Sequence, residues 1–271
     1  MSLFLTLYFC MYFFYYDLVI IRQALAASVF ALSFCSNKKM TFKRYLLWCL
    51  FATCFHFSSL ILIPIYPLIY KIKPNKLFGL ATVCIVLYFL KIDFWSSIFS
   101  LSVKLLPQNY IANRLYAYTH SESLAYGMKL SGRGIFYFCM FFFSMYCYRR
   151  NSKNGELLSK IEMNCISIFI CIFAGSSSLF TITNRLCVFF SIFFVIATCK
   201  VCVYYARKNC MITIFLIVLA FCFNKGVFFE SPLQSAYNPY QFYFDYKIFD
   251  KHSTGSERLQ MTNNLELKMR Q

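Results

Sequence analysis

Four polar side chains sit where apolar sequence surrounds them, and each brings a distinct chemistry. Arg22 and Gln23 interrupt "VIIRQALAASVF", His56 interrupts "CFHFSSL", and Arg185 falls within "FTITNRLCVFF". A guanidinium makes paired, charge-assisted hydrogen bonds to a carboxylate or phosphate, so two facing one cavity suit a diphosphate better than a single charge does. Gln23 adds an amide beside Arg22 that donates and accepts. A neutral imidazole at His56 could serve as donor, acceptor or base, or simply join two helices through a hydrogen bond with Ser58 or Ser59 nearby. Ala24, Ala27, Ser28 and Ala31 give the Arg22 segment a small-residue face that invites close packing. An arginine beside such a face points into the bundle or a wet cavity, with Asp17 as one candidate partner; the plainer reading is snorkelling to the interface. For Arg185 the plainer reading is a turn residue where two apolar segments meet.

A second group lies in the polar stretch 107–133. "QNYIANRLYAYTHSESLAYGMKLSGRG" places Arg114, Lys129 and Arg133 among Tyr110, Tyr116, Tyr118 and Tyr126, with His120 and Glu122. Rings with polar tips stack on sugar faces and hydrogen-bond hydroxyls, and they equally populate an interfacial aromatic belt. Glu122 is the loop's only acid and so its candidate base. "AYNPYQFYFDY" repeats the aromatic theme later in the chain. There is no Walker loop, nucleophile elbow or metal-ligand constellation in the sequence. Catalysis would then rest on placement and charge stabilisation, without cofactor or metal.

The elements that position these residues follow from composition. A chain of 271 residues that is 60% hydrophobic, 21% aromatic and only 14% charged reads as an all-α, polytopic integral membrane helix bundle. About eight segments have the length and apolarity expected of membrane elements. They run Leu3–Tyr16, Leu18–Phe34, Tyr45–Tyr70, Leu77–Ile92, Gly134–Tyr148, Ile161–Ile182, Leu186–Tyr205 and Met211–Phe223. Residues 1–248 form a single transmembrane domain in this reading, and 249–271 a polar tail. The N-terminus has neither the basic start nor the small-residue site of a cleavable signal peptide.

The net charge of +17 is spread through short basic clusters between apolar runs, a topology signal rather than a nucleic-acid face. "SNKKMTFKR", "YRRNSKNGELLSK" and "ARKN" face the cytoplasm by the positive-inside rule, which puts Arg22, the 107–133 loop and Arg185 on the outer side. "KIKPNK" is basic as well, and a single crossing by Tyr45–Tyr70 would leave it outside. Either that stretch is a hairpin broken near His56–Ser59, or "DFWSSIFSLSVKLL" adds a short crossing. Pro64 and Pro67 argue against regular helix in its second half. The two halves of the chain show no repeat, which weakens a transporter reading. Fourteen scattered cysteines, with one isolated Cys199–Cys202 pair, suggest buried inert thiols.

"IRQALA", a basic linker and then "FHFSSLILIP" resemble the signature of the EpsG type of O-antigen and exopolysaccharide polymerases, the Wzy-like proteins. "YIANRLYAY", "NRLCVFF" and "NPYQFYF" fit the same pattern, and together the pieces cover most of the chain from Leu18 to Tyr246. Members of that family usually begin with further membrane segments and an outer loop bearing an arginine followed by a glycine and aspartate motif. Nothing here corresponds to it, so the expectation is an N-terminally shortened or divergent member.

The resemblance implies a multi-pass glycosyltransferase of the bacterial inner membrane with a GT-C-like helical fold. It would join undecaprenyl-diphosphate-linked oligosaccharide repeat units at the outer face, with no metal or cofactor. Arg22 and Arg185 would neutralise the diphosphate with help from Gln23, and His56 would be base or orienter. Arg114, Tyr116, Tyr118 and Glu122 would hold the acceptor sugar. A chain-length regulator is an expected partner and nucleic acid is not. The competing classes are a flippase for the lipid-linked glycan and a non-catalytic assembly subunit.

Overall fold

The computed structural model describes residues 2–8, 21–35, 40–92, 132–151, 157–176 and 180–206, with Ile214 and Val218. The chain divides into two units, Met1–Ala220 and Phe221–Gln271, and all described residues belong to the first. Every regular element among them is helical. They are α1 (Ser2–Tyr8), α2 (Ile21–Leu32), α3 (Phe42–Thr53), a 3-10 helix over Phe57–Ile65, α4 (Tyr66–Tyr70), α5 (Pro74–Phe89), α6 (Gly132–Asn151), α7 (Lys160–Gly175) and α8 (Phe180–Ala206), and α2 ends in a 3-10 turn, Ser33–Cys35. One stretch, the 23 residues Thr183–Tyr205 of α8, is long and apolar enough to cross a membrane by itself. Ile21–Leu32, Phe57–Tyr70 and Pro74–Phe89 are shorter apolar helical stretches. Most of the expected segments Leu3–Tyr16 and Met211–Phe223 lies outside the described residues.

The largely apolar run Tyr45–Tyr70 is a hairpin. Thr41 starts α3 with extended backbone, its hydroxyl accepting the Arg44 N–H at 3.4 Å. The helix stops at Thr53, and His56 reverses the chain in extended conformation, φ −153° and ψ 122°. The return limb begins as 3-10 helix through Pro64 and becomes α-helix only where Pro67 falls in the first turn, a position that needs no N–H. Two tyrosines tie the limbs together. The buried Tyr45 hydroxyl donates to the Leu62 carbonyl at 2.6 Å, and Tyr66 Oη to the Met40 carbonyl at 3.5 Å. Tyr70 therefore returns to the end of the molecule from which α3 set out.

That end collects the cations. Lys43, Arg44, Lys71, Lys73, Lys76, Arg149 and Arg150 are all exposed there, and Arg149 reaches Asn75 Oδ1 at 3.5 Å and stacks over Phe78. The last carbonyls of α4 have no helical partner of their own. α7 supplies them: buried Asn164 Nδ2 lies 3.2, 2.8 and 3.0 Å from the carbonyls of Leu68, Ile69 and Ile72, and Lys160 Nζ 2.9 Å from that of Tyr70. The first turn of α7 is closed by a capping box in which Ser159 and Glu162 satisfy each other's main-chain N–H groups. Glu162 also binds Lys200 of α8 at 2.7 Å.

Between the ends the core is aromatic. Phe30 of α2 meets Phe189, Phe190 and Phe193 of α8 edge to face, and Tyr137 of α6 packs likewise on Phe169, Phe173 and Phe194. Such pairs add about 0.5–1.5 kcal/mol each beyond the area they bury. Cys49, Cys84, Cys147, Cys165, Cys187 and Cys202 are buried.

Candidate functional site

At the opposite end from the cations of the hairpin base, α2, α8 and the hairpin turn bring Arg22, Gln23, His56 and Arg185 together. Gln23 opens α2 on its packed side, and a primary amide that is 2% exposed needs partners. It finds one across the helix boundary, where Nε2 donates to the main-chain carbonyl of Arg185. Ala24, Ala26 and Ala27 lie buried beside it; of the face expected to pack closely, Ala24 and Ala27 do so, whereas Ser28 is exposed, Ala31 is half-buried and both line a cavity. The neighbouring side chains Arg22 and Arg185 are exposed. One hydrogen bond from the Gln23 side chain thus ties α2 to the main chain of Arg185.

Arg185 differs from its expected place. The polar run "TITN" suggests a turn, but α8 begins at Phe180, so Arg185 stands in the second helical turn. The cause lies in Thr183, whose buried hydroxyl is 2.6 Å from the Ser176 carbonyl and 2.7 Å from Ser176 Oγ. Ser176 Oγ in turn donates to the Ile172 carbonyl at 2.5 Å. Polar residues that suggest a break are here the clasp between the end of α7 and the start of α8.

His56 lies in the turn between the two limbs of the hairpin, outside both helical segments, and is partly exposed. Its Nδ1 is 2.6 Å from Ser58 Oγ and accepts the Ser58 main-chain N–H at 3.3 Å. A main-chain N–H can only donate, so Nδ1 must be the unprotonated nitrogen and the neutral ring carries its hydrogen on Nε2. Burial, then the charge of Arg185, then that of Arg22 hold the imidazole below its ordinary pKa. Near neutral pH His56 is therefore an uncharged N–H donor within the electrostatic reach of two guanidiniums. The base role open from sequence would require the ring to give up the Ser58 amide.

Arg114, Tyr116, Tyr118 and Glu122, expected to hold sugar, lie outside the described residues, as does Asp17. Among the described residues no cluster of three or more His, Cys, Asp and Glu could hold a metal ion. Asn164 went unremarked in the sequence although it joins two elements. The signal was there, an amide within the apolar run of α7.

Among the described residues the elements are helical, one is long and apolar enough to cross a membrane, and cations collect at the hairpin base with a smaller pair at the other end. The chain belongs to the EpsG family, whose model matches residues 1–242. It is accordingly a membrane protein of polysaccharide biosynthesis and, in broad terms, a glycosyltransferase-like polymerase. No curated protein matches it, and no solved structure does.

Proposed function

We propose that this protein polymerises oligosaccharide repeat units carried on undecaprenyl diphosphate, at the outer face of the bacterial inner membrane, as in O-antigen, capsule or exopolysaccharide assembly. The observation that carries this reading is the Gln23–Arg185 bond, which sets two guanidiniums and the His56 imidazole at one end of the molecule. The cations of the hairpin base support a cytoplasmic base by the positive-inside rule, with this cluster outside. The helices form a multi-pass, GT-C-like bundle in this reading. A chain-length regulator acts on the same product.

In the reaction a hydroxyl oxygen of the incoming unit attacks the anomeric carbon of the growing chain as the bond from that carbon to the diphosphate oxygen breaks. The diphosphate leaves with an added negative charge, and the hydroxyl proton passes to a base. Arg22 and Arg185 bind the diphosphate and stabilise the charge that develops on departure. His56 donates Nε2–H to a departing oxygen, and Gln23 holds the spacing of the two arginines. Arg114, Tyr116 and Tyr118 position the acceptor sugar and Glu122 takes its proton, without a metal.

The test is glycan length in cells carrying Arg22→Ala or Arg185→Ala at unchanged protein level. Long chains should disappear while single repeat units still reach the surface. Retention of modal chain length in both variants would overturn the assignment. Build-up of repeat units on the inner face in a null strain would instead mark a flippase.

A further inference from the structure

A cavity of about 420 Å³ is walled by α2, α8 and the start of α7, the first two being the helices that carry Arg22 and Arg185. Its walls include Ser28, Ala31 and Leu32 of α2 and Ile192, Phe193 and Ile196 of α8. We propose that it receives the proximal hydrocarbon of a polyisoprenoid diphosphate whose headgroup is held by the two arginines. This rests on the substrate class proposed above.

Helical periodicity aligns the two sites. Ile192 and Ile196 follow Arg185 by seven and eleven residues, roughly two and three turns, so all three share one face of α8 at about 10 and 16 Å of axial separation. On α2, Leu25 and Leu32 follow Arg22 at three and ten residues, again near one face, with Leu32 about 15 Å along the axis. Both leucines are exposed, at 48% and 55%. Hydrocarbon leaving a diphosphate at the arginines thus meets an apolar stripe on each helix, and the stripes end at the cavity.

The chemistry of the walls fits an uncharged chain. Glu162 is the one charged residue lining the cavity, and both its oxygens are engaged, Oε1 by Lys200 Nζ at 2.7 Å and Oε2 by the Ser159 N–H at 2.7 Å. Ser28 Oγ donates to its own helix, to the Ala24 carbonyl at 2.9 Å. The volume falls within the range of about 300–1,000 Å³ usual for small-molecule sites. A phospholipid acyl chain fits an apolar cavity equally well and its single phosphate can meet one guanidinium, whereas a diphosphate suits two.

The full chain reconstituted in vesicles is irradiated with two probes, a polyprenyl diphosphate bearing a diazirine a few isoprene units from its phosphates and phosphatidylglycerol bearing one in an acyl chain. The prenyl probe should label Leu32, Ile192 or Ile196 against excess unlabelled phospholipid. Ala31→Trp or Ile196→Trp, whichever keeps the wild-type melting temperature, should cut that yield roughly tenfold, as for expelling about two methylene groups. Unchanged yield in the folded variant overturns the assignment. So does labelling of the same residues by the phospholipid probe that excess prenyl diphosphate fails to displace. Cavity labelling that persists while Arg22→Ala and Arg185→Ala leave glycan length intact refutes the polymerase reading and keeps the cavity assignment. Loss of long glycan in those variants without any cavity labelling does the reverse.

Discussion

The two ends of the molecule both carry cations but use their hydrogen bonds differently. At the hairpin base the chain reversals are fastened by polar side chains: Asn164 and Lys160 take the loose carbonyls of the α4 end, and Glu162 serves Ser159 and Lys200 at once. At the other end the fastening is done by neutral groups and main chain, Gln23 to Arg185, His56 to Ser58 and Thr183 to Ser176. The Arg22 and Arg185 side chains stay exposed while the groups beside them hold the backbone. Polar residues at the base complete the fold, and at the far end they display charge. Substitutions should therefore separate stability from activity according to the end at which they fall.

The largest separation is expected at the arginines. Arg22→Ala or Arg185→Ala should lower polymerisation about 100- to 1,000-fold, the loss typical of one preorganised donor to a developing anion, with an unchanged melting temperature in detergent. The double variant should lose less than the product of the single losses, because the two charges act on one leaving group. A melting temperature that falls with activity would place these residues with the structural end instead.

Asn164→Leu should produce the converse. It keeps the volume of the side chain but removes two N–H donors that three main-chain carbonyls share, which at about 1–3 kcal/mol per stranded group is enough to remove much of the stability of a marginally stable fold. Thermal melting and recovery of folded protein would fall. Whatever protein survives should polymerise at the wild-type rate.

Gln23→Ala lies between the two. Losing one buried hydrogen bond should cost roughly 1 kcal/mol of stability, and letting the two helix starts drift should cost about tenfold in activity. A loss of stability without loss of activity would make Gln23 merely a packing residue.

These contrasts also mark what the sequence disclosed. Arg22, Gln23, His56 and Arg185 stood out because polar groups in apolar runs are rare, and the fold gathers all four at one end. The hairpin was one of two open arrangements, because hydropathy is continuous from Tyr45 to Tyr70 and only the prolines and the basic "KIKPNK" hinted at a reversal. The helical setting of Arg185 was hidden, since Thr183 satisfies its hydroxyl on Ser176, a partner seven residues back that no local pattern announces. Asn164 stood as an amide in an apolar run, but its partners lie more than ninety residues away and no local pattern announces them. The sugar-facing roles of Arg114, Tyr116, Tyr118 and Glu122 fall outside the described residues and remain part of the proposal.

His56 offers a finer probe of the exposed charges. Because burial and the two arginines hold its pKa down, the ring gains its proton at lower pH than an ordinary histidine does. Polymerisation that uses neutral His56 as a donor should be flat near pH 7 and fall on the acid side as the ring charges and its Nδ1 leaves the Ser58 amide. Arg185→Gln removes the larger of the two repulsions, so the acid limb of the residual activity should move to higher pH, and Arg22→Gln should move it less. An acid limb that stays in place in both variants would detach His56 from the cluster.

The smallest effect is expected at Lys200→Met. The ammonium is 42% exposed while its Glu162 partner is 14% exposed, so solvent screens much of the attraction. The expected cost is about 0.5 kcal/mol, the scale of half-exposed ion pairs. Glu162 would keep its bond to the Ser159 N–H, so the capping box that begins α7 would survive. Glycan length at saturating substrate should not change, since no charge at the site end is touched, while the Glu162 oxygen released toward the cavity should weaken labelling there by the prenyl probe. A small drop in melting temperature with full activity is what a cation used only for the fold should give. A clear change in chain length with the fold intact would show that charge at the hairpin base reaches the reaction, and the division between the two ends would fail.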